Sequence, residues 1–134
     1  MARTFGTPLV EKLGVAEGMR LVVLGAPRSY GALLGPLPAG ARIARRLSAA
    51  AGMVHVFATR RVALGRTLRS LRGRLETAVP VWVSWPKQAS GVATDVSEDV
   101  VREIALPLGY VDVKVCAIDE VWSGLKLVVR KRLR

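Results

Sequence analysis

Hydrophobic residues along this chain follow two periods, and the alternation between these periods predicts the fold. Three short runs are apolar on both faces, which is typical of central strands in a parallel sheet: residues 19–26 (MRLVVLGA), 53–59 (MVHVFAT) and 78–85 (AVPVWVSW). Between the last two runs, leucines recur on one stripe of residues 60–75 while arginines cover the remaining surface, as in an amphipathic helix. Strands and helices therefore alternate along most of the chain.

Further helices are predicted from end signals and spacing. Residues 7–14 form a short helix with Pro8 at its first position and Gly14 after its last turn. A helical region follows the loop after the first strand, with the sequence PLP near its start. The apolar side of this region consists of Ile43, Leu47 and Ala50. Residues 94–109 form the last helix, because apolar positions recur every four residues and acids cluster where they favour the helix dipole.

The period changes after Gly109. Valines alternate with polar residues in 110–119, and leucines flank Lys126 in 125–130, so these segments predict an antiparallel hairpin with one face less buried. The resulting order, β-α-β-α-β-α-β-β, implies parallel strands with helices on both faces. We therefore predict one Rossmann-like α/β domain over residues 1–134. It is a three-layer sandwich with a mostly parallel five-stranded sheet and an antiparallel edge hairpin at the C-terminus.

Composition fits a globular domain of this kind. The chain has 134 residues, of which 51% are hydrophobic and 23% are charged, so it can bury a core and is not expected to be disordered. Its start has no apolar signal core, and no apolar run approaches the ~18 residues of a membrane span. The single cysteine excludes an internal disulfide. We expect a cytoplasmic protein that does not contact a membrane.

The net charge of +11 is unevenly distributed along the chain. Seven of the ten acids lie between Asp95 and Glu120, whereas residues 42–74 contain nine arginines and no acid. Such asymmetry suggests an anionic partner, although an arginine-rich composition also arises from a GC-rich genome. Nucleic acid is one candidate partner. The arginines that would bind it are Arg42, Arg45, Arg46, Arg66, Arg69, Arg72 and Arg74.

Catalytic and metal-binding patterns are sparse. The only histidine, His55, lies in the middle of a strand, and Cys116 lies in a strand without a base nearby in sequence, so packing is favoured for both. One histidine and one cysteine do not make a zinc-ligand set, and we predict no metal site and no catalytic residues. The acids interpreted as caps and dipole partners of the last helix are Asp95, Glu98, Asp99 and Glu103.

A ligand site is predicted instead at one edge of the sheet. Ligands of open α/β sheets bind outside the carboxyl ends of the parallel strands. The loops at those ends are 25–31, 58–61, 84–91 and 119–124. Pro86 ends its strand because it cannot donate to a ladder, and Lys87 then stands at the rim beside small residues that leave space. The candidate site residues, cations first and flat aromatic surfaces second, are Arg28, Arg60, Arg61, Lys87, Tyr30, Trp85 and Trp122.

Segment 84–91 (SWPKQASG) is thus interpreted as one wall of a shallow cleft that accepts anions. The alternative is an ordinary tight connection with solvated charges. For Trp85 and Trp122, the alternative to ligand stacking is burial at the sheet rim.

Two blocks of sequence carry a specific resemblance. They are TPLVEKLG with GMRLVVLGAP near the start, and VWVSWPKQASGVATDVSEDVVREIALPLGYVDVKVCAIDEVWSGLKLVVR from Val81 onward. On these blocks the whole chain resembles a family of small proteins from high-GC Gram-positive bacteria, catalogued as a domain of unknown function. The resemblance implies a domain and no activity.

The second half also resembles the end of a class I methyltransferase, with a strand, a helix and a closing hairpin. That fold implies a Gly-rich turn after the first strand and an acid after the next strand, which accepts from the ribose hydroxyls of a cofactor. Here the turn is GAPRSYG at 25–31, Arg60 and Arg61 follow MVHVFAT, and two strands of the full fold are missing. We therefore predict no cofactor, neither S-adenosylmethionine nor a nicotinamide.

These features predict a small non-catalytic binding or regulatory module for an anionic small molecule, such as a nucleotide or another phosphate compound. Two alternatives from other classes remain open. One is a basic nucleic-acid-binding protein, and the other is a reduced methyltransferase-like enzyme.

Overall fold

The computed structural model describes residues 7–134, which form one mixed sheet covered by helices. Within this range the α-helices are α1 (Leu9–Leu13), α2 (Tyr30–Leu34), α3 (Arg61–Arg74) and α4 (Glu98–Ala105). The strands are β1 (Arg20–Leu24), β2 (Arg42–Ala44), β3 (Met53–Phe57), β4 (Val81–Pro86), β5 (Tyr110–Ala117) and β6 (Trp122–Val129). No helix within residues 7–134 has both the length and the apolar character needed to cross a membrane.

The order of strands across the sheet is β2-β1-β3-β4-β6-β5. β2, β1, β3 and β4 are parallel, and β6 is antiparallel to both of its neighbours. The mostly parallel α/β sandwich is therefore confirmed.

The predicted antiparallel C-terminal hairpin of β5 and β6 forms, and it occupies one edge of the sheet. β6 lies inside the sheet against β4, and β5 is the edge strand. Burial explains this placement, because Leu125 and Leu127 of β6 are 0% and 1% exposed, whereas Val113 and Val115 of β5 are 55% and 51% exposed. The strand with the more apolar faces takes the position that is covered on both sides.

The sheet has six strands, not the predicted five. The prediction of a helical region that includes Ile43, Leu47 and Ala50 is wrong. α2 ends at Leu34, because Pro36 and Pro38 lack the N–H groups that a continuing helix needs. Ile43, assigned to the apolar side of that helix, instead pairs in parallel with Leu21 of β1. Its segment is β2.

The connection from β2 to β3 is short and contains no helix. Residues 45–52 cross β1 on the face of the sheet that α3 also covers, and Leu47 and Ala51 pack against the core there. This layer is thin, and a groove remains between the connection and α3.

The sheet separates two cores. Alternation along β3 sends Val54 and Val56 to the core under α3 and α4, and Met53 and Phe57 to the core under α1 and α2. The predicted leucine stripe of α3 is confirmed, and its fully buried members are Leu64, Leu68 and Leu71.

Candidate functional site

The carboxyl ends of β2, β1, β3 and β4 meet along one side of the sheet, which we call the carboxyl edge. α2 and α3 pack on opposite faces, so the chain turns to opposite faces after β1 and after β3. A crevice between two such neighbouring strands is where open α/β sheets bind ligands. Arg28, Arg60 and Lys87 each follow one of these parallel strands, and the structure brings them to this edge.

Gly25 allows the ends of β1 and β3 to approach closely. Its φ is 73°, and a Cβ added to it would lie 2.9 Å from the carbonyl oxygen of Phe57. An L side chain would therefore meet both an unfavourable backbone conformation and a steric clash. The crevice between β1 and β3 is narrow at its base for this reason.

Arginines dominate the β2–β1–β3 part of the carboxyl edge. Four of them, which we call the arginine edge, are exposed and form no ion pair with any carboxylate of residues 7–134: Arg28, Arg45, Arg46 and Arg60. Sequence analysis missed Arg45 and Arg46 as edge residues, because it assigned β2 to a helix. Guanidinium groups that no acid neutralises create a positive potential that attracts anions.

The other two predicted cations have partners within the fold. The Arg61 guanidinium lies 2.6 Å from the Glu103 carboxylate. The Lys87 ammonium is half-buried and donates to the carbonyl oxygen of Asp119 at 2.6 Å. These two groups join elements of the protein, unlike the arginine edge.

Tyr30 is fully buried and belongs to a hydrogen-bonded row with the only histidine. Its hydroxyl lies 2.8 Å from His55 Nδ1, and His55 Nε2 lies 2.7 Å from the hydroxyl of Ser84. All three residues are 0% exposed, so Tyr30 presents no surface to a ligand. Burial lowers the pKa of His55 to about 3 and raises the pKa of Tyr30. His55 is the satisfied core histidine that its position in the strand indicated.

An open groove lies beside segment 84–91, with a volume of about 750 Å³. One wall consists of Trp85, Pro86 and Lys87, and the facing wall runs from Gly91 to Glu98. Trp85 is 6% exposed, and Trp122 packs edge-on against Phe57 with ring centroids 5.0 Å apart. Both indoles therefore contribute mainly to packing at the rim.

The charges in this groove are mixed. Its lining includes the Lys87 ammonium and the carboxylates of Asp95 and Glu98. Glu98 pairs with Arg102 at 2.6 Å, and Asp95 accepts from the backbone N–H of Arg61 at 2.6 Å. The groove thus offers more carboxylate than free cation.

Asp95 was predicted to be a cap or dipole partner of the last helix, but it caps α3 instead, and Ser97 caps α4. Arg61 is the first residue of α3, so the Asp95 carboxylate caps a helix that precedes it by 34 residues. Next to it, the backbone N–H of Asp95 and the hydroxyl of Thr94 both donate to the carbonyl oxygen of Thr59, at 3.2 and 2.8 Å. These bonds tie the wall of the groove to the loop after β3.

The remaining candidates have structural surroundings. Ser97 accepts from Val100 N–H as the cap of α4, and Glu98 and Asp99 lie in its first turn, as predicted. Cys116 is half-buried, and burial raises the pKa of its thiol. Residues 7–134 contain no group of three or more histidine, cysteine or acidic side chains that could hold a metal ion.

The fold resembles the Rossmann-like fold of solved S-adenosylmethionine-dependent methyltransferases. A SAM-dependent methyltransferase from Aquifex aeolicus has a TM-score of 0.65 at 10% identity, over 90% of this chain and 87% of that chain. A tRNA methyltransferase from B. subtilis has a TM-score of 0.63 at 11% identity, over 95% and 68%. Fibrillarin from Aeropyrum pernix, solved with S-adenosyl-L-methionine natively bound, has a TM-score of 0.60 at 15% identity, over 92% and 70%.

These identities are low, so the likeness establishes the fold alone. Neither a protein-family model nor a curated protein matches the sequence. The resemblance to the bacterial family of unknown function therefore stays a prediction.

The cofactor that this fold implies can be tested against the residues at the carboxyl edge. The sequence analysis looked for a ribose-binding acid after residues 53–59, which form β3. The strand that follows β1 along the chain is β2, so the residues to consider are those after β2. In nucleotide-binding folds of this type, an acid about 20 residues after the first turn binds ribose hydroxyls, whereas an arginine there accommodates a phosphate. Arg45 and Arg46 directly follow β2, and 42–75 contains no acid. These residues do not fit the ribose of S-adenosylmethionine.

Proposed function

We propose that this chain is a reduced methyltransferase-like protein that binds a nucleotide at the arginine edge. The likeness to the Aquifex aeolicus protein supports a ligand at this edge, because it extends over 90% of this chain and 87% of that one. Open α/β sheets bind their ligands at the carboxyl ends of the strands. The nucleotide would enter above the crevice between β1 and β3.

The single observation that carries the ligand class is the set of unpaired arginines at this edge. Arg45 and Arg46 stand where an acid would accept from a ribose, and Arg28 and Arg60 flank the crevice. Guanidinium groups bind phosphate oxygens through paired, charge-assisted hydrogen bonds. We therefore propose a nucleotide with at least one phosphate, bound without catalysis.

The neighbouring groove completes the proposed site. Its carboxylates and the engaged Lys87 do not favour an anion, so we place the phosphate at the arginine edge and the uncharged part of the ligand toward Trp85. Hydroxyl groups of Ser97 and Ser123 in the lining would donate to or accept from that part.

Methyl transfer is the second candidate function, and the fold favours it. The structures of similar fold include a protein described as a SAM-dependent methyltransferase and one described as a tRNA methyltransferase. We derive no methyl-transfer step for this chain, because the residues after β2 do not fit that cofactor.

Thermal unfolding with matched ligands tests both candidates. At equal ionic strength, ATP, ADP and pyrophosphate should raise Tm more than chloride does, and S-adenosylmethionine should not. A ligand at a hundredfold excess over its Kd stabilises the folded state by about 2.7 kcal/mol. A shift with S-adenosylmethionine and none with ATP would support methyl transfer and overturn the anionic-ligand proposal.

Variants localise the site. Arg28→Ala with Arg60→Ala should remove the ATP-dependent shift, because both side chains are exposed at the crevice. Lys131→Ala with Arg132→Ala is the matched control, since it removes the same charge beyond the far end of β6, at the opposite edge. Equal losses in both double variants would show that net charge, and not the arginine edge, binds the nucleotide.

A further inference from the structure

A second basic surface lies on α3. Between α3 and the connection 45–52 there is a groove of about 300 Å³, which we call the α3 groove. Its apolar lining residues are Leu24, Leu47 and Leu71. Its polar lining residues are Arg66, Thr67, Ser70 and Arg74.

The polar residues form a regular row. Arg66, Ser70 and Arg74 are spaced by four residues, which places them on one stripe of the helix. The eight steps along the helix from Arg66 to Arg74 span about 12 Å at ~1.5 Å per residue. All three are exposed, so the row faces solvent along the groove.

The two sides of α3 differ in how their arginines are satisfied. Toward α4, Arg61 pairs with Glu103, and Arg72 Nε donates to the carbonyl oxygen of Leu108 at 2.9 Å. Toward the α3 groove, neither Arg66 nor Arg74 forms an ion pair with a carboxylate of residues 7–134. The fold thus engages Arg61 and Arg72 on the α4 side of the helix and leaves Arg66 and Arg74 of the α3 groove without an acidic partner among residues 7–134.

The lining of the α3 groove contains no carboxylate and no aromatic ring. Guanidinium and hydroxyl groups are the usual donors to phosphate oxygens, and such contacts position a nucleic acid without reading its sequence. The apolar floor is suited to sugar and base surfaces. The Arg45 and Arg46 side chains at the start of the facing segment extend the positive charge toward the carboxyl edge.

We propose that the α3 groove binds the phosphate backbone of a single-stranded nucleic acid. A groove between a helix and a loop accommodates one strand, whereas a duplex would rest on its rims. Binding should be independent of sequence, because guanidinium and hydroxyl contacts to phosphate oxygens do not read the base edges. The groove adjoins the arginine edge through Arg45 and Arg46, but its own cations, Arg66 and Arg74, are not part of the nucleotide site proposed above.

Fluorescence anisotropy with a labelled oligouridylate, measured from ~50 to 200 mM salt, tests the proposal. Each neutralised phosphate of a single strand contributes about 0.7 to the slope of log affinity against log salt. Arg66→Gln with Arg74→Gln should lower the slope by about 1.4 and weaken binding at least tenfold at the lowest salt. Lys131→Gln with Arg132→Gln, which removes the same charge from exposed residues elsewhere, should leave the slope unchanged.

Each contrary result has a defined meaning. An equal loss in the Lys131/Arg132 variant would overturn the proposal in favour of unspecific charge attraction. Equal affinity for a duplex of the same length would overturn the assignment to a single strand. Tighter binding of polyglutamate than of the oligonucleotide would assign the groove to an acidic protein.

The two proposed sites can fail separately. The Arg66/Arg74 variant should keep the ATP-dependent rise in Tm, and the Arg28/Arg60 variant should keep the slope for oligouridylate. Circular dichroism of each variant checks that α3 remains folded.

Discussion

At the scale of single residues, the neighbours of His55 explain how a histidine is accommodated in the interior of this small protein. His55 is stacked on Phe57 with ring centroids 4.3 Å apart, and both of its nitrogens have hydroxyl partners. A neutral imidazole needs one donor and one acceptor, and hydroxyl groups serve as either. The row from Tyr30 to Ser84 therefore joins α2, β3 and β4 through groups that need no charge.

Tyr30→Phe tests this row. The substitution leaves His55 Nδ1 buried without its partner, which should cost about 1–3 kcal/mol of unfolding free energy. Tyr110→Phe is the matched control, because Tyr110 is 1% exposed and its hydroxyl has no hydrogen-bond partner among residues 7–134. Urea unfolding of both variants measures the difference, and equal losses would show that the hydrogen bond contributes nothing.

His55 should also make stability depend on pH. The unfolded chain takes up a proton near pH 6.5, whereas burial lowers the pKa of the folded His55 to about 3. The unfolded state therefore binds more protons between these values, so stability is full above pH 6.5 and falls as the pH drops toward 3. From pH 7 to pH 5 the loss should be about 2 kcal/mol.

His55→Gln keeps a donor and an acceptor but does not titrate, so its unfolding free energy should change less over this interval. Denaturant unfolding at several pH values compares the two proteins, and parallel pH profiles would show that the folded His55 accepts a proton as readily as the unfolded one.

At the scale of elements, a glycine of the loop after β1 and a glycine of α2 have opposite requirements. Gly25 has φ 73° and faces the Phe57 carbonyl, whereas Gly31 lies in α2, where an added Cβ meets nothing within 4 Å. Gly25→Ala should destabilise the fold by more than about 1 kcal/mol. Gly31→Ala should stabilise it by about 0.5–1 kcal/mol, because alanine has the higher helix propensity.

Denaturant unfolding of both glycine variants gives these values. Because Gly25 sets the spacing of β1 and β3, the Gly25→Ala variant should also show a smaller ATP-dependent rise in Tm than Gly31→Ala. A stable Gly25→Ala variant with an unchanged nucleotide response would remove the crevice from the proposed site.

At the scale of the whole molecule, the sheet decides which charges are available. It aligns β2, β1, β3 and β4 in parallel, so residues far apart in sequence, from Arg28 to Arg60, reach one edge. In the same arrangement, acids of residues 95–103 form ion pairs with Arg61 and Arg102. The arginines of the arginine edge and of the α3 groove have no acidic partner among residues 7–134. Six arginines without acidic partners among residues 7–134 thus lie on two connected surfaces, the arginine edge and the α3 groove.

The sequence by itself determined the elements whose residues satisfy one local rule. The leucine stripe of α3, the two-sided apolar runs of β1, β3 and β4, and the alternation in β5 and β6 each specify one element, because helical and extended periods cannot be interchanged. Pro86 likewise ends β4 wherever the strand lies in the sheet. Parallel strands then follow from the order of elements, and with them the edge where Arg28, Arg60 and Lys87 meet.

Only the tertiary structure decided the features that depend on a distant partner. Ile43 is in a strand because Leu21 offers a parallel ladder beside it, a fact that residues 35–44 do not contain. Asp95 caps α3, and Arg61 pairs with Glu103, because the loop after β4 folds back over the loop after β3. Which arginines are neutralised, and which remain available for an anion, depends on these contacts and cannot be read from spacing along the chain.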